Sequence, residues 1–238
     1  MTAFANYNNT VISAFTNHPK PTDIVNKKVE ILDRLSEYYN RSFDNILFVG
    51  FNPAITNLRQ PNIYCTEVTV KTKNKIKEIN PDIVFLDSVD CKFDLVITGD
   101  EFFTFADSED QQRNAIQKYC AVTSGVLITT LRDYKNLDFR SREFSEPAII
   151  KNNDLLDIYN EIHSWDSMDR YSFQTYLYHM NNVDASFLGM YKRRTLFFKQ
   201  LAKISSDAGA VNFVIHKNLM YKNLLKKNYE HVITIEFE

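Results

Sequence analysis

The fold turns on the stretch Asn45-Ile46-Leu47-Phe48-Val49-Gly50-Phe51-Asn52-Pro53-Ala54. Ile46 to Val49 is a short unbroken apolar run, the pattern of a strand buried on both faces of a parallel sheet. The run stops at Gly50, where the missing side chain lets a ligand approach the backbone, and Pro53 keeps the strand from continuing. Open α/β sheets bind nucleotide-like ligands at strand-ending turns of this kind. Gly50, Phe51 and Asn52 are therefore candidate ligand-binding residues. A buried strand with an ordinary turn explains the same stretch without a ligand.

The stretch resembles the first motif of class I S-adenosylmethionine-dependent methyltransferases, in which an apolar strand is followed by an acid, an apolar residue and Gly-x-Gly. Val49 and Gly50 fit; Phe48 stands in place of the acid and Asn52 in place of the second glycine. Downstream, FDLVITGDEFF from Phe93 and GVLITTL from Gly125 are similar to the family's fourth and fifth motifs. The resemblance implies an α/β, three-layer, Rossmann-like sheet of seven strands with an antiparallel last strand. It implies S-adenosylmethionine as cofactor; the well-separated cysteines, read as reduced buried thiols, imply a cytoplasmic setting. The resemblance gives Glu67, near the end of the second strand, the ribose hydroxyls through two charge-assisted hydrogen bonds. A solvated strand-end glutamate is the alternative. It puts Asp87 and Ser88, after the third strand, beside the adenine. Asp100 and Glu101 follow the fourth strand, which ends at the transferred methyl group, and are candidate proton acceptors or substrate orienters; a helix-entry or turn acid is the alternative for Asp100.

Composition sets bounds around this reading. The chain of 238 residues suits one domain, residues 1–238, with N-terminal helices over 1–44 and an inserted recognition subdomain over 134–190. A net charge of -2 gives no overall basic field, so nucleic acid is not a favoured partner. No apolar run is long enough to span a bilayer, and Met1 to Tyr7 has no basic segment ahead of an apolar one. Cys65, Cys91 and Cys120 lie far apart and the five histidines are scattered, so no metal site is expected.

Along the chain, helices are expected over 2–15 and from Thr22 to about Asn40. Residues 55–62 are too short for a regular crossover helix. Either an irregular turn serves as the crossover, or the connection differs from the family pattern. A helix over 71–80, strands over 63–68, 83–86, 93–98 and 126–130, and a helix over 107–119 follow. Residues 134–184 are polar and irregular, with a short helix over 154–161 and a strand through Tyr176, Tyr178 and Met180. Lys192, Arg193 and Arg194 precede a helix over 195–208. Strands over 213–216 and 232–237 flank a helix over 219–227.

A methyltransferase needs little covalent chemistry from the protein: it aligns a nucleophile with the methyl group and removes a proton where needed. Arg132, Tyr134 and Arg193 are candidates to hold an acidic acceptor, small or macromolecular. There is no Asn/Asp-Pro-Pro-aromatic motif and no cysteine pair, so methylation of base amino groups or of pyrimidine carbon is not favoured. A second hypothesis is a lapsed enzyme serving as a binding or structural module for a protein partner. Phe48, Asn52 and the short crossover all fall on the cofactor half. Arg193 to Lys203 and Asn212 to Asn223 resemble uncharacterised proteins of marine tailed phages, which admits a virion or host-cytoplasm setting. A nicotinamide-dependent oxidoreductase fits less well, because Gly50 to Ile55 lacks the later glycines.

Overall fold

The computed structural model describes residues 3–17, 37–52, 55, 62–99, 101–134, 142–144, 148–152, 155–166, 168–169, 171–222 and 229–238. Helix α1, Ala3–Asn17, comes first, and Phe4, Tyr7, Asn8, Val11 and Ile12 form its buried stripe. The expected helix from Thr22 lies outside the described residues, apart from a helical turn at 37–39.

Five strands then run parallel: β1 Ile46–Val49, β2 Ile63–Thr66, β3 Val84–Phe85, β4 Phe93–Thr98 and β5 Thr123–Leu131. β1 sits between β2 and β4, with Phe48 opposite Cys65 on one side and Ile97 on the other. All four β1 side chains are buried, which is why its sequence is an apolar run without alternation. Helix α2, Val70–Ile79, links β2 to β3 and starts at Thr69, whose side chain accepts from the Thr72 N–H. Helix α3, Glu109–Ala121, links β4 to β5. Ser108 caps it, and it buries Gln112, Ile116, Tyr119 and Cys120. The segment 93–131 is thus a βαβ unit, as its sequence implies.

After β5 the chain builds a second sheet: β6 Arg142–Phe144, β7 Ala148–Asn152, β8 Leu155–Trp165, β9 Ser172–Met180 and β10 Ala185–Arg194. All its pairings are antiparallel, in the order β10-β9-β8-β6 with β7 also on β8. One expectation is corrected here: residues 155–161 of the expected helix over 154–161 belong to β8, while Asp154 lies outside the described residues. Lys192 to Arg194 end β10 and precede a helix, as expected. Helix α4, Phe198–Asp207, follows.

β11, Asn212–Lys222, and β12, Tyr229–Glu236, complete the first sheet in the order β11-β12-β5-β4-β1-β2-β3. β12 is antiparallel to both neighbours. Residues 219–222, expected as helix, extend β11; the rest of that expected helix, 223–227, falls on residues 223–228, outside the description.

Candidate functional site

The chain leaves β4 through Glu101, whose φ of 55° is left-handed; so is that of Glu67, at 56°, just past β2. Such backbone in a residue with a side chain is costly and concentrates at functional sites. Glu101 is 2% exposed and collects three donors. The Tyr134 hydroxyl donates to it at 2.7 Å, the Arg132 N–H at 3.2 Å and Arg193 Nη2 at 2.9 Å. Arg193, at the end of β10, is fully buried and also donates from Nε and Nη2 to Thr104 Oγ1, at 2.9 and 2.6 Å. Its guanidinium lies over the Phe105 ring at 4.4 Å, and its Nη1 is buried with no hydrogen-bond partner among the described residues. Burial pushes the guanidinium toward losing its proton, but Glu101, with Tyr134, Glu161 and Tyr7, outweighs this and holds its pKa above the usual arginine value. Burial, and then the Glu101 charge, push the Tyr134 hydroxyl well above its ordinary value. These donors fix the Glu101 carboxylate in place.

A second polar group joins this one between the two sheets. Tyr7 of α1 donates to Glu161 Oε1 at 3.1 Å, and His163 Nε2 lies 3.5 Å from Glu161 Oε2. His163 Nδ1 meets Thr175 Oγ1 at 3.0 Å. Tyr191 packs edge-on against Tyr7, and Phe173 lies against Tyr134. The inner face of the inserted sheet thus roofs the carboxyl ends of β4 and β5.

The other half is organised differently. Gly50 has φ of +84°, and a Cβ there would lie 2.4 Å from Phe4 Cε1 and 2.8 Å from Asn8 Nδ2. The Phe51 N–H donates to Asn8 Oδ1 at 2.8 Å. Asn9 Oδ1 accepts from Thr69 Oγ1 at 2.5 Å and from Thr72 Oγ1. Helix α1 is therefore fastened across the ends of β1 and β2. Asn52 is buried, and its carbonyl accepts from the Ile55 N–H. Glu67 takes a 3.5 Å bond from Tyr119 and lies 3.7 Å from Lys118 Nζ. Asp87 is exposed and pairs with Lys73 at 2.7 Å, which lowers its pKa; Ser88 donates to Asp90.

The structure brings Glu101, Tyr134, Arg193 and the Arg132 backbone into one cluster. Glu67 and Asp87 make separate ion pairs, and Asp100 lies outside the described residues. Phe4, Tyr7, Asn8, Thr104, Glu161 and His163 escaped the sequence reading. Read as helix, Glu161 and His163 diverge; read as strand, they share a face. Among the described residues, no group of histidine, cysteine or acidic side chains could hold a metal, and no helix is long and apolar enough to cross a membrane.

The fold is that of class I S-adenosylmethionine-dependent methyltransferases. Streptomyces venezuelae DesVI aligns with a TM-score of 0.68 at 8% identity, covering 91% of this chain and 92% of that one. CalS10, an amino pentose methyltransferase of Micromonospora echinaspora calicheamicin biosynthesis solved with S-adenosylmethionine bound, aligns at 0.66 and 10% identity, covering 88% and 89%. A S-adenosylmethionine-dependent methyltransferase of Clostridium acetobutylicum aligns at 0.65 and 11%, covering 89% and 91%. No family model matches the sequence, and no curated protein matches it closely enough to report.

Proposed function

We propose that the protein is a S-adenosylmethionine-dependent methyltransferase whose cofactor lies over the Gly50 turn and whose acceptor sits between the ends of β4 and β5 and the inserted sheet. One observation carries this. Left-handed Gly50 ends β1 where the strand order reverses, with β2 on one side and β4 on the other, and this switch point is where open α/β sheets bind ligands. Gly50, Phe51 and Asn52 would hold the amino-acid end, Glu67 the ribose, and Asp87 with Ser88 the adenine. When bound, the cofactor supplies an electrophilic methyl group. The chain's share is to hold the acceptor in line with it and to exclude water. Tyr134 and Arg193, fixed by Glu101, orient the acceptor, and the roofing sheet keeps solvent out. The fit has one condition: Phe4 and Asn8 occupy the open side of Gly50 and must give way.

That same contact favours a second reading, a lapsed site in which Asn8 permanently replaces a ligand on the Phe51 N–H. Phe48, 0% exposed, cannot accept a hydrogen bond where the family carries an acid. Calorimetric titration with S-adenosylmethionine and S-adenosylhomocysteine separates the two. The enzyme reading expects heat with both, and Glu67→Ala weakening the affinity by about 1–3 kcal/mol, the worth of a hydrogen bond to a charged group. No heat with either compound overturns it. A substitution at Gly50 is a poor test, because left-handed backbone and the Phe4 ring both oppose any side chain there.

A further inference from the structure

We propose that the outer face of the inserted sheet binds single-stranded nucleic acid, with phosphates on a basic row of side chains and bases stacked on the aromatic rows beside it. The inner face, bearing Glu161, Thr175, Tyr191 and Arg193, is buried against the first sheet. Strand alternation puts the intervening residues on the opposite side. Register then aligns them in rows across the strands. Arg142, Ser164, Gln174 and Lys192 form one row, from β6 through β8 and β9 to β10. Two residues further along β9, Tyr176 has Ile162 and Met190 beside it; two further again, Tyr178 has Asn160 and Phe187. No carboxylate belongs to these three rows.

Charge and shape together select the occupant. Arg142 is exposed and Lys192 half exposed, at the two ends of a row about 14 Å long, given strands about 4.8 Å apart. Between them the Tyr176 hydroxyl donates to Gln174 Oε1, which leaves the Gln174 amide N–H groups to donate outward. Lys192 lies 4.0 Å from Asp107 Oδ1, but both side chains are more than half exposed, so that contact is worth little and yields to a phosphate. Arg194, on the same side, is already held by Asp169 at 2.7 Å and is not counted. The Tyr178 and Phe187 rings lie 5.4 Å apart, and Phe187 and Met190 are 55% and 53% exposed. Every base has a face that stacks on such rings, whatever the sequence. A lipid or an apolar protein surface leaves the basic row without a counter-charge; a polyanion carrying flat bases satisfies both features. The net charge of -2 gives no long-range steering, so the attraction is local. The inference does not depend on cofactor binding.

Fluorescence anisotropy of a labelled oligothymidylate of about twelve nucleotides, titrated with the full chain, tests it. The expected dissociation constant lies between about 1 and 100 µM at about 50 mM salt, and log affinity falls against log salt with a slope of about -1.4, for two phosphates neutralised. Tyr176→Ala with Tyr178→Ala should weaken binding about tenfold or more, with an unchanged circular dichroism spectrum. If that variant does not fold, the exposed Phe187→Ala replaces it with a smaller loss in the same direction. Arg142→Ala with Lys192→Ala should weaken binding and remove most of the salt dependence, which lost packing alone would not do. A dissociation constant above about 100 µM overturns the proposal. So does binding that these substitutions leave unchanged, or a DNA duplex of the same length bound as tightly. A dimer in sedimentation velocity that the same substitutions dissociate also overturns it, in favour of a second copy on this face. Flotation with neutral phosphatidylcholine vesicles overturns it in favour of lipid.

Discussion

The ends of β1 to β3 and the ends of β4 and β5 lie along one edge of one sheet, yet they are closed by opposite means. At β4 and β5 the closure is ionic and comes from the inserted sheet: Arg193 reaches from β10 to Glu101 and Thr104. At β1 it is neutral and comes from α1: an asparagine amide on the Phe51 N–H and a phenyl ring on Gly50. A buried ion pair is costly to break on one side, because the remaining charge has no water. An amide on a backbone N–H is worth about 0.5–1.5 kcal/mol net and can be exchanged for another acceptor. The ionic closure is thus built to persist, and the neutral one to be opened; on the proposed function these are the acceptor half and the cofactor half.

The largest expected effect breaks the ionic closure. Arg193→Ala leaves Glu101 buried without its cation and should lower unfolding free energy by about 3–5 kcal/mol in urea melts. Removing both charges, as Arg193→Met with Glu101→Leu, should cost less than Arg193→Ala alone. A loss below about 1 kcal/mol for Arg193→Ala would contradict the contrast between the halves.

A smaller effect sharpens it at the other end. Cys65, on β2 with its Sγ 3.6 Å from the Gly50 carbonyl, has its thiol pushed up to about 12 by burial, partly offset by Lys73. Burial also pushes Cys120, on α3, up to about 11. Above the unfolded thiol value of 9.0 the native state holds protons the unfolded state has lost. Stability is therefore full below pH 9 and falls as pH rises toward the folded values, by about 1.4 kcal/mol per pH unit for each group. Urea melts at pH 8 and pH 10.5 should show the fall, and Cys65→Ala should remove about half of it, the Cys120 share remaining. Exposed Cys91 should react with a thiol reagent at pH 8 while Cys65 and Cys120 stay unmodified.

How much was legible follows from the same physics. β1, β4 and β5 were readable because strands buried on both faces need unbroken apolar runs. Glu101, Tyr134 and Arg193 were singled out separately by residue type, and nothing in the sequence shows residues 92 apart making an ion pair. β8 was not readable. Its inner face carries Glu161 and His163 while its outer face carries Ile158 and Ile162, so burial and polarity are uncoupled and the alternation signal is lost. Asn8 was missed for a related reason: in a run of asparagines it looks like a weak helix former, whereas its amide is fully buried on the Phe51 N–H.

The central claim is that the Gly50 turn is a cofactor site held shut by α1. It is tested most directly by the affinity of S-adenosylhomocysteine for the wild type and for Asn8→Ala, measured side by side by calorimetry. The account predicts that both bind and that Asn8→Ala binds about fivefold more tightly, about 1 kcal/mol, because one competing hydrogen bond no longer has to be displaced. Equal or weaker binding by the variant, or binding by neither protein, would contradict it.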